Sequence, residues 1–429
     1  MLFIAIIFIT GLWILTSGLR PWHRVAAAAG QAAAEAPMPE ETTDTGETAT
    51  SEEPTQRAGE KPQVSIVANI HRDEEELSPY IDMLLGQRCP GLEVVLVCDA
   101  SAEATAMISE RFENVSNLHI TFVPPGSHNL SRRKLAQTIG IKAAKGEIVL
   151  LTASSVHPVS PYWAEAMTKE LRENPSVAVT LGYVRPVTSD YTGGGKWYRM
   201  FDHTIDTVSW MAAALSDDAF RGDGYDMAIR RRAFFDNKGY AATLPLMDGD
   251  DDIFIRELSR FGRVTLCLNP DAVVDSHWGD QTDRRHLDLK DRRMFTRHYL
   301  PPRPFVRLAM MSAAQGLLLL SLIGVSAAAI AGWYFPAISA AIREACGSLG
   351  DLLIISPALT GIAFLLGAWV AGILIWTAEA FGYRRVATAL GSARLFWPVP
   401  LFLLWRPIGN LLFGINHRTG RRAHFTWQR

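Results

Sequence analysis

Residues 2–19 carry no charge, and Arg20, His23 and Arg24 follow at once. An apolar run of this length reads as a membrane-crossing helix. Because the basic cluster follows the run instead of preceding it, residues 1–20 read as an uncleaved N-terminal anchor, not a signal peptide, with the next residues in the cytoplasm. Between residues 62 and 299 short apolar runs alternate with stretches of helical period. Residues 64–70 and 94–98 read as buried strands with a helix over 75–87 between them, residues 134–144 as a further helix, and 147–152 as another strand. Repeated strand–helix–strand units predict an α/β domain with a mainly parallel sheet and right-handed crossovers. Ligands of such sheets bind beyond the carboxyl ends of the strands. Two more long uncharged stretches predict membrane helices over 304–336 and 352–380, flanked outside by Arg303, Arg307, Arg384 and Arg385. Residues 395–414 are apolar but interrupted by Pro398, Pro400, Arg406, Pro407 and Gly409, so 392–429 reads as an interfacial segment followed by a basic cytoplasmic tail.

Composition adds a second layer. The 429 residues include 42 Lys+Arg and 44 Asp+Glu, a net charge of −2, which argues against a nucleic-acid partner. The mean hydropathy of +0.08 is high for a soluble enzyme and low for a transporter, as expected of a mixed chain. Residues 25–62 hold eight acids, from Glu35 to Glu60, against Arg57 and Lys61, and read as a disordered acidic linker that buries too little apolar surface to order itself. Cys89, Cys98, Cys267 and Cys346 follow no metal or disulfide spacing, which fits a reducing compartment.

Candidate chemistry clusters at predicted strand ends. The first strand runs into Asp73 and the second into Asp99. An acid there is placed to accept from a ribose hydroxyl or a base, although Asp73 equally suits a helix cap. Asp248, Asp250, Asp251 and Asp252 put four carboxylates within five residues before a predicted helix over 253–260. Such a run ordinarily marks a helix N-terminus, but mutual repulsion also raises at least one carboxyl pKa, which suits a general base. His277 reads either as a metal or phosphate contact or as an ordinary satisfied histidine, and Arg284, Arg285, Arg292, Arg293 and Arg297 as phosphate ligands or a membrane-facing patch.

Taken in order, these residues resemble the family 2 glycosyltransferases of GT-A fold, in their membrane-bound branch. Residues 64–67 with Arg72-Asp73-Glu74-Glu75 resemble the family's first strand and Asn-Glu motif, and residues 98–105 resemble its Asn-Asp-x-Ser-x-Asp-x-Thr turn. The likeness implies an α/β, Rossmann-like nucleotide-sugar transferase domain over 63–299 with flanking transmembrane helices. It further implies that Asp73, Asp99, Lys134 and Ser155 bind the nucleotide sugar, and that Asp251 is the base with Asp250 beside it. Gln281, Arg284 and Arg285 resemble the Gln-x-x-Arg-Trp motif that holds acceptor or diphosphate, with Arg285 in the place of Trp. The family's Asp-x-Asp, which binds Mg or Mn, reads Ala153-Ser154-Ser155 here, and Asp99 and His277 are the remaining candidate ligands. The implied function is inverting transfer from a nucleotide-sugar donor to a lipid-linked or polysaccharide acceptor. The implied setting is the inner (cytoplasmic) membrane, with the domain facing the cytoplasm and envelope-synthesis proteins as partners. The alternative is a catalytically impaired subunit that binds a sugar nucleotide or a partner enzyme.

Overall fold

The computed structural model describes residues 2–36, 63–70, 77–99, 102–124, 131–187, 189, 191, 193–276, 282–334 and 357–416. The chain divides into two units, a helical one (Met1–Ala26, Pro302–Ala389, Ala393–Ile415) and an α/β one built mainly from Ala27–Pro301.

The α/β unit carries a seven-stranded sheet in the order β3-β2-β1-β4-β8-β6-β9. Its strands are β1 (Val64–Ile70), β2 (Leu92–Cys98), β3 (Leu118–Phe122), β4 (Ile148–Ala153), β6 (Val177–Leu181), β8 (Met227–Arg230) and β9 (Arg263–Leu266). β1 pairs in parallel with β2 and β4, and β3 continues the parallel half. β8 runs antiparallel between β4 and β6, so the loop entering β8 stands at the carboxyl end of β4. Every residue of β1, β2 and β4 is buried, as expected of central strands covered on both faces. The α/β class expected from the sequence is the one observed. The helices of this unit are α3 (Leu77–Leu85), α4 (Ala102–Arg111), α5 (Arg132–Ala143), α6 (Trp163–Glu173), α7 (Lys196–Ala214), α8 (Arg231–Asp236), α9 (Ile253–Leu258) and α10 (Thr282–Thr296).

A three-stranded sheet joins β5 (Val156–Pro158), β10 (Val273–Ser276) and β7 (Tyr183–Arg185) in the order β5-β10-β7. Asp226 ties this layer to the main sheet: it accepts from the Trp163 indole at 3.0 Å and from the Tyr183 amide at 2.9 Å. Its burial pushes the carboxyl well above the usual range.

α5 lies directly on β1 and β2 because Gly140 offers no side chain. A Cβ there would collide with Val67 and come within 2.8 Å of Val97. Gly140→Val is therefore expected to destabilise the protein by about 2–3 kcal/mol in a urea melt, the usual scale for overpacking a fitted interface. It would also lift the first turn of α5 from the site described below.

The helical unit contains α1 (Leu2–Trp13), a π-helical turn (Ile14–Gly18), α11 (Arg303–Tyr334), α12 (Pro357–Ala389) and α13 (Val399–Asn416). Small residues let these helices approach: a Cβ on Gly11 would strike Ile375, and one on Gly372 would lie 2.8 Å from Leu322, the packing typical of apolar helices without a hydrophobic drive between them. Arg307 donates to the Ser17 carbonyl at 3.0 Å, in the π turn. Three helical stretches are long and apolar enough to cross a membrane: Leu2–Glu35, Arg303–Ala331 and Ile362–Ala389. Val399–Ile415 is shorter, and Pro407 lies inside its helix. Two expected boundaries shift. Helix α2 (Arg20–Glu35) makes residues 25–35 helical where the sequence places a disordered linker, because its run of alanines is the strongest of helix formers; residues 37–62 lie outside the described residues. α12 continues past residue 380 to Ala389.

Candidate active site

Backbone hydrogen bonds gather the carboxyl ends of three central strands. The Asp99 amide donates to the Ile70 carbonyl at 2.7 Å, the Ser154 amide to the Asn69 carbonyl at 3.0 Å, and the Val123 amide to the Cys98 carbonyl at 2.9 Å. Asp99 therefore sits at the end of β2, and Ser154-Ser155 at the end of β4, as the sequence reading expects.

The first turn of α5 spans the site. Ser131 caps it, its hydroxyl accepting from the Lys134 amide at 3.5 Å, and the next three residues are basic. Arg132 Nε donates to both carboxylate oxygens of Asp99, at 3.0 and 2.9 Å. Arg133 Nε lies 2.6 Å from Asp250 Oδ2, and its guanidinium stacks 4.0 Å above the Tyr225 ring. All three Arg133 nitrogens are buried without an aligned hydrogen bond. Lys134 Nζ donates to the carbonyls of Thr243 and Leu246, both at 2.9 Å, and of Asp248, at 2.5 Å. Three adjacent cations thus reach the donor end, the acidic run and the loop before that run.

This corrects the expectation for Lys134. Its side chain is 3% exposed and all three ammonium donors are taken by backbone carbonyls, so it clamps the loop over 243–248 and has no proton left for a diphosphate. Burial lowers its pKa, against the pull of Asp250, Asp248 and Asp252. Arg133, one residue earlier, holds the place that Lys134 was expected to fill.

The acidic run turns sharply at Gly249, whose φ of +103° is a conformation that suits glycine. The turn directs its carboxylates differently. Asp252 caps α9, accepting from the Ile253 amide at 2.6 Å, and also receives the Thr296 hydroxyl. Asp250 is 1% exposed and is shared between Arg133 and Arg292, the latter at 3.2 Å. Asp248 takes Arg292 Nε at 2.8 Å. Asp251 is the most open of the three acids that Arg292 contacts, at 13% exposure against 12% for Asp248 and 1% for Asp250, and its distance to Arg292 is the longest, 3.5 Å. Behind these acids Arg221, 2% exposed, points both ways, 3.4 Å from Asp206 of α7 and 3.9 Å from Asp252. Arg293 of α10 also pairs with Asp206.

These neighbours separate the proton affinities of the run. Burial acts upward on Asp251, but the guanidiniums of Arg292, Arg133, Arg293 and Arg221 together hold its carboxyl below the ordinary carboxylate value. Burial, then the charge of Asp251, push Asp252 up to about 6 despite Arg221 and the Thr296 hydroxyl. The repulsion expected from the sequence therefore raises Asp252, while Asp251 stays ionised.

The structure brings together Asp99, Asp250 and Asp251 through the first turn of α5. Asp73, His277 and Gln281 lie outside the described residues, as do the side chains of Arg284 and Arg285, whose backbone belongs to the first turn of α10. Ser155 stands at the β4 end with its hydroxyl buried and without a partner. Sequence reasoning passed over Arg132, Arg133 and Arg221 as site residues, and left Arg292 and Arg293 undecided between phosphate and membrane. The signal for the first two was the unbroken basic triplet at a helix start, a common place for anion-facing cations.

A divalent cation does not fit the donor set present. Position 153 is Ala, positions 154 and 155 are Ser, and Asp99 is engaged by Arg132. Among the described residues no group of three or more His, Cys, Asp or Glu could hold a metal ion. Hard cations need several carboxylate or carbonyl oxygens, and no step below is routed through one.

No protein-family model and no curated protein matches the chain. Among solved structures it is similar to the mannosyltransferase PcManGT from Pyrobaculum calidifontis, in complex with GDP-Man and Mn2+, with 18% identity over 86% of this chain and 98% of that one and a TM-score of 0.42. It is also similar to S. aureus TarS 1–349 in complex with UDP, with 15% identity over 83% of this chain and 92% of that one and a TM-score of 0.37. A third similar structure is glucosyl-3-phosphoglycerate synthase from Mycobacterium tuberculosis in complex with phosphoglyceric acid, with 16% identity over 48% of this chain and 69% of that one and a TM-score of 0.32.

Proposed function

We propose that the α/β unit is a GT-A glycosyltransferase of family 2 type that moves a sugar, with inversion, from a nucleotide donor to a lipid-linked or polysaccharide acceptor. The observation that carries this reading is the placement of Asp251: an ionised, partly open carboxylate at the carboxyl end of the sheet, ringed by buried guanidiniums. Inverting transfer needs a base for the acceptor hydroxyl and positive charge for the departing diphosphate, both preorganised. Asp251 supplies the first. Arg133 supplies the second, because its buried nitrogens lack hydrogen-bond partners while it borders both the acidic run and, through Arg132, the Asp99 end. The nucleoside binds beside Asp99 and Asp73, and Gln281, Arg284 and Arg285 face acceptor or diphosphate. The three apolar helices anchor the enzyme in the cytoplasmic membrane with this unit on the cytoplasmic side, where envelope-synthesis proteins would deliver or take the glycan.

Nucleotide binding tests the reading. Titration calorimetry of the purified chain with UDP and with GDP is expected to show binding of one of them that persists in EDTA, since no carboxylate pair holds a bridging cation. Binding that appears only with manganese would overturn the arginine account. Binding with normal affinity but no turnover of any donor would favour an impaired, nucleotide-sensing subunit, a reading consistent with Ala153-Ser154-Ser155.

A further inference from the structure

Asp223 lies in the loop between α7 and β8, and both of its sequence neighbours touch Asp251. The Gly222 amide donates to the Asp251 carbonyl at 2.9 Å, and a Cβ at Gly224 would stand 3.0 Å from Asp251 Cβ. The two missing side chains let this loop close onto the acidic run, which presses a second carboxyl against the first. The charged groups facing Asp223 are Arg293 from α10, Asp251 from the acidic run and Arg133 from α5. Within its own loop it accepts from the Tyr225 amide at 3.3 Å. Burial pushes its carboxyl up to about 6, and Asp251 adds to the rise, while Arg293, the Tyr225 amide and Arg133 oppose it. Asp251 is shifted the other way. Neighbouring acids whose surroundings drive their proton affinities apart are arranged to pass a proton from one to the other.

We propose that Asp223 is the proton-accepting partner of Asp251, an inference that rests on the transferase reading above. As the acceptor oxygen bonds to the anomeric carbon, the bond from that carbon to the phosphate oxygen breaks, and the nucleoside diphosphate leaves with the electron pair. The acceptor proton goes to an Asp251 oxygen, then to Asp223, and from Asp223 to water, which restores the Asp251 carboxylate. Asp223 acts through Asp251, and nothing in the family resemblance assigns it a role.

The test uses the full chain in lipid nanodiscs with UDP-glucose and GDP-mannose as probe donors, water as acceptor, and release of UDP or GDP as the readout. The wild-type rate is expected to fall below about pH 6, as Asp223 becomes protonated. Asp223→Asn should lower the rate roughly tenfold and remove that limb of the profile, and Asp223→Glu should restore part of both. Stability separates this role from a structural one. The folded-state pKa of Asp223 lies above the ordinary carboxylate value, so its ionisation costs stability, fully above about pH 6 and not at all below the unfolded value. Asp223→Asn should therefore raise the melting temperature above pH 6 while it lowers the rate. An unchanged pH limb, or a lowered melting temperature, overturns the proposal. In parallel, infrared titration should show one carboxyl near pH 6 lost in Asp223→Asn, and the same carboxyl shifted to lower pH in Asp251→Asn. A band that persists in the first variant or stays put in the second also overturns it. A wild-type chain that binds neither UDP nor GDP overturns the transferase reading instead, and the infrared result still decides whether the two acids are coupled.

Discussion

Asp251→Asn is expected to leave sugar transfer about a thousandfold below the wild-type rate, in a protein that still folds and still binds nucleotide. A positioned general base contributes roughly 10²–10⁴-fold, and the amide keeps the shape of the carboxylate while removing its basicity. Folding should survive because the ties of Asp251 to Arg292 are the loosest in the run, 3.5 Å against 2.8 Å for Asp248. Asp250→Asn should behave differently. That carboxylate is shared by Arg133 and Arg292, and neutralising it leaves two buried guanidiniums without their partner, so the melting temperature falls along with activity. Rates in isolated membranes and melting curves of the same two purified variants separate the cases. Full transfer by Asp251→Asn would remove the residue from the mechanism.

Lys134→Met is expected to be the most damaging single change for stability, at about 3–5 kcal/mol. It removes three charge-assisted hydrogen bonds, each worth roughly 1.5–3 kcal/mol, and strands buried carbonyls whose desolvation costs about 1–3 kcal/mol apiece. Methionine recovers only the packing of the aliphatic stem. Against a typical domain stability of about 5–15 kcal/mol, a loss of this size should expose the loop over 243–248 to protease and lower the melting temperature by many degrees. A variant that melts like the wild type but no longer binds nucleotide would mean that Lys134 faces the diphosphate, as the family resemblance implies.

The contrast between Lys134 and Arg133 marks where the sequence stops being readable. β1, β2 and β4 are legible because each is a continuous apolar run bounded by polar turns, and the acidic run was found at its correct place before α9. Three consecutive residues on a helix, however, point about 100° apart, and composition does not say which of Arg132, Arg133 and Lys134 turns inward. β5, β7 and β10 have three, three and four residues, too few for a period to show. The pairing of Arg292 with Asp248, Asp250 and Asp251 joins segments some forty residues apart, and Asp223 becomes informative only when Gly222 and Gly224 are seen against Asp251. The alanine-rich residues 25–35 misled in another way, since the same composition that reads as low complexity also favours helix.

The first turn of α5 also works as a ruler. Arg132, Arg133 and Lys134 reach Asp99, Asp250 and the loop over 243–248 from consecutive positions, so the spacing between donor end and base end is set by the pitch of one helical turn. Replacing one of these side chains disturbs one attachment. Inserting or deleting a single residue there would rotate all three by about 100° and shift them by about 1.5 Å, detaching them at once. Descendants of this chain can therefore retune the charge of the site by substitution, but changes of length are confined to the loops around it.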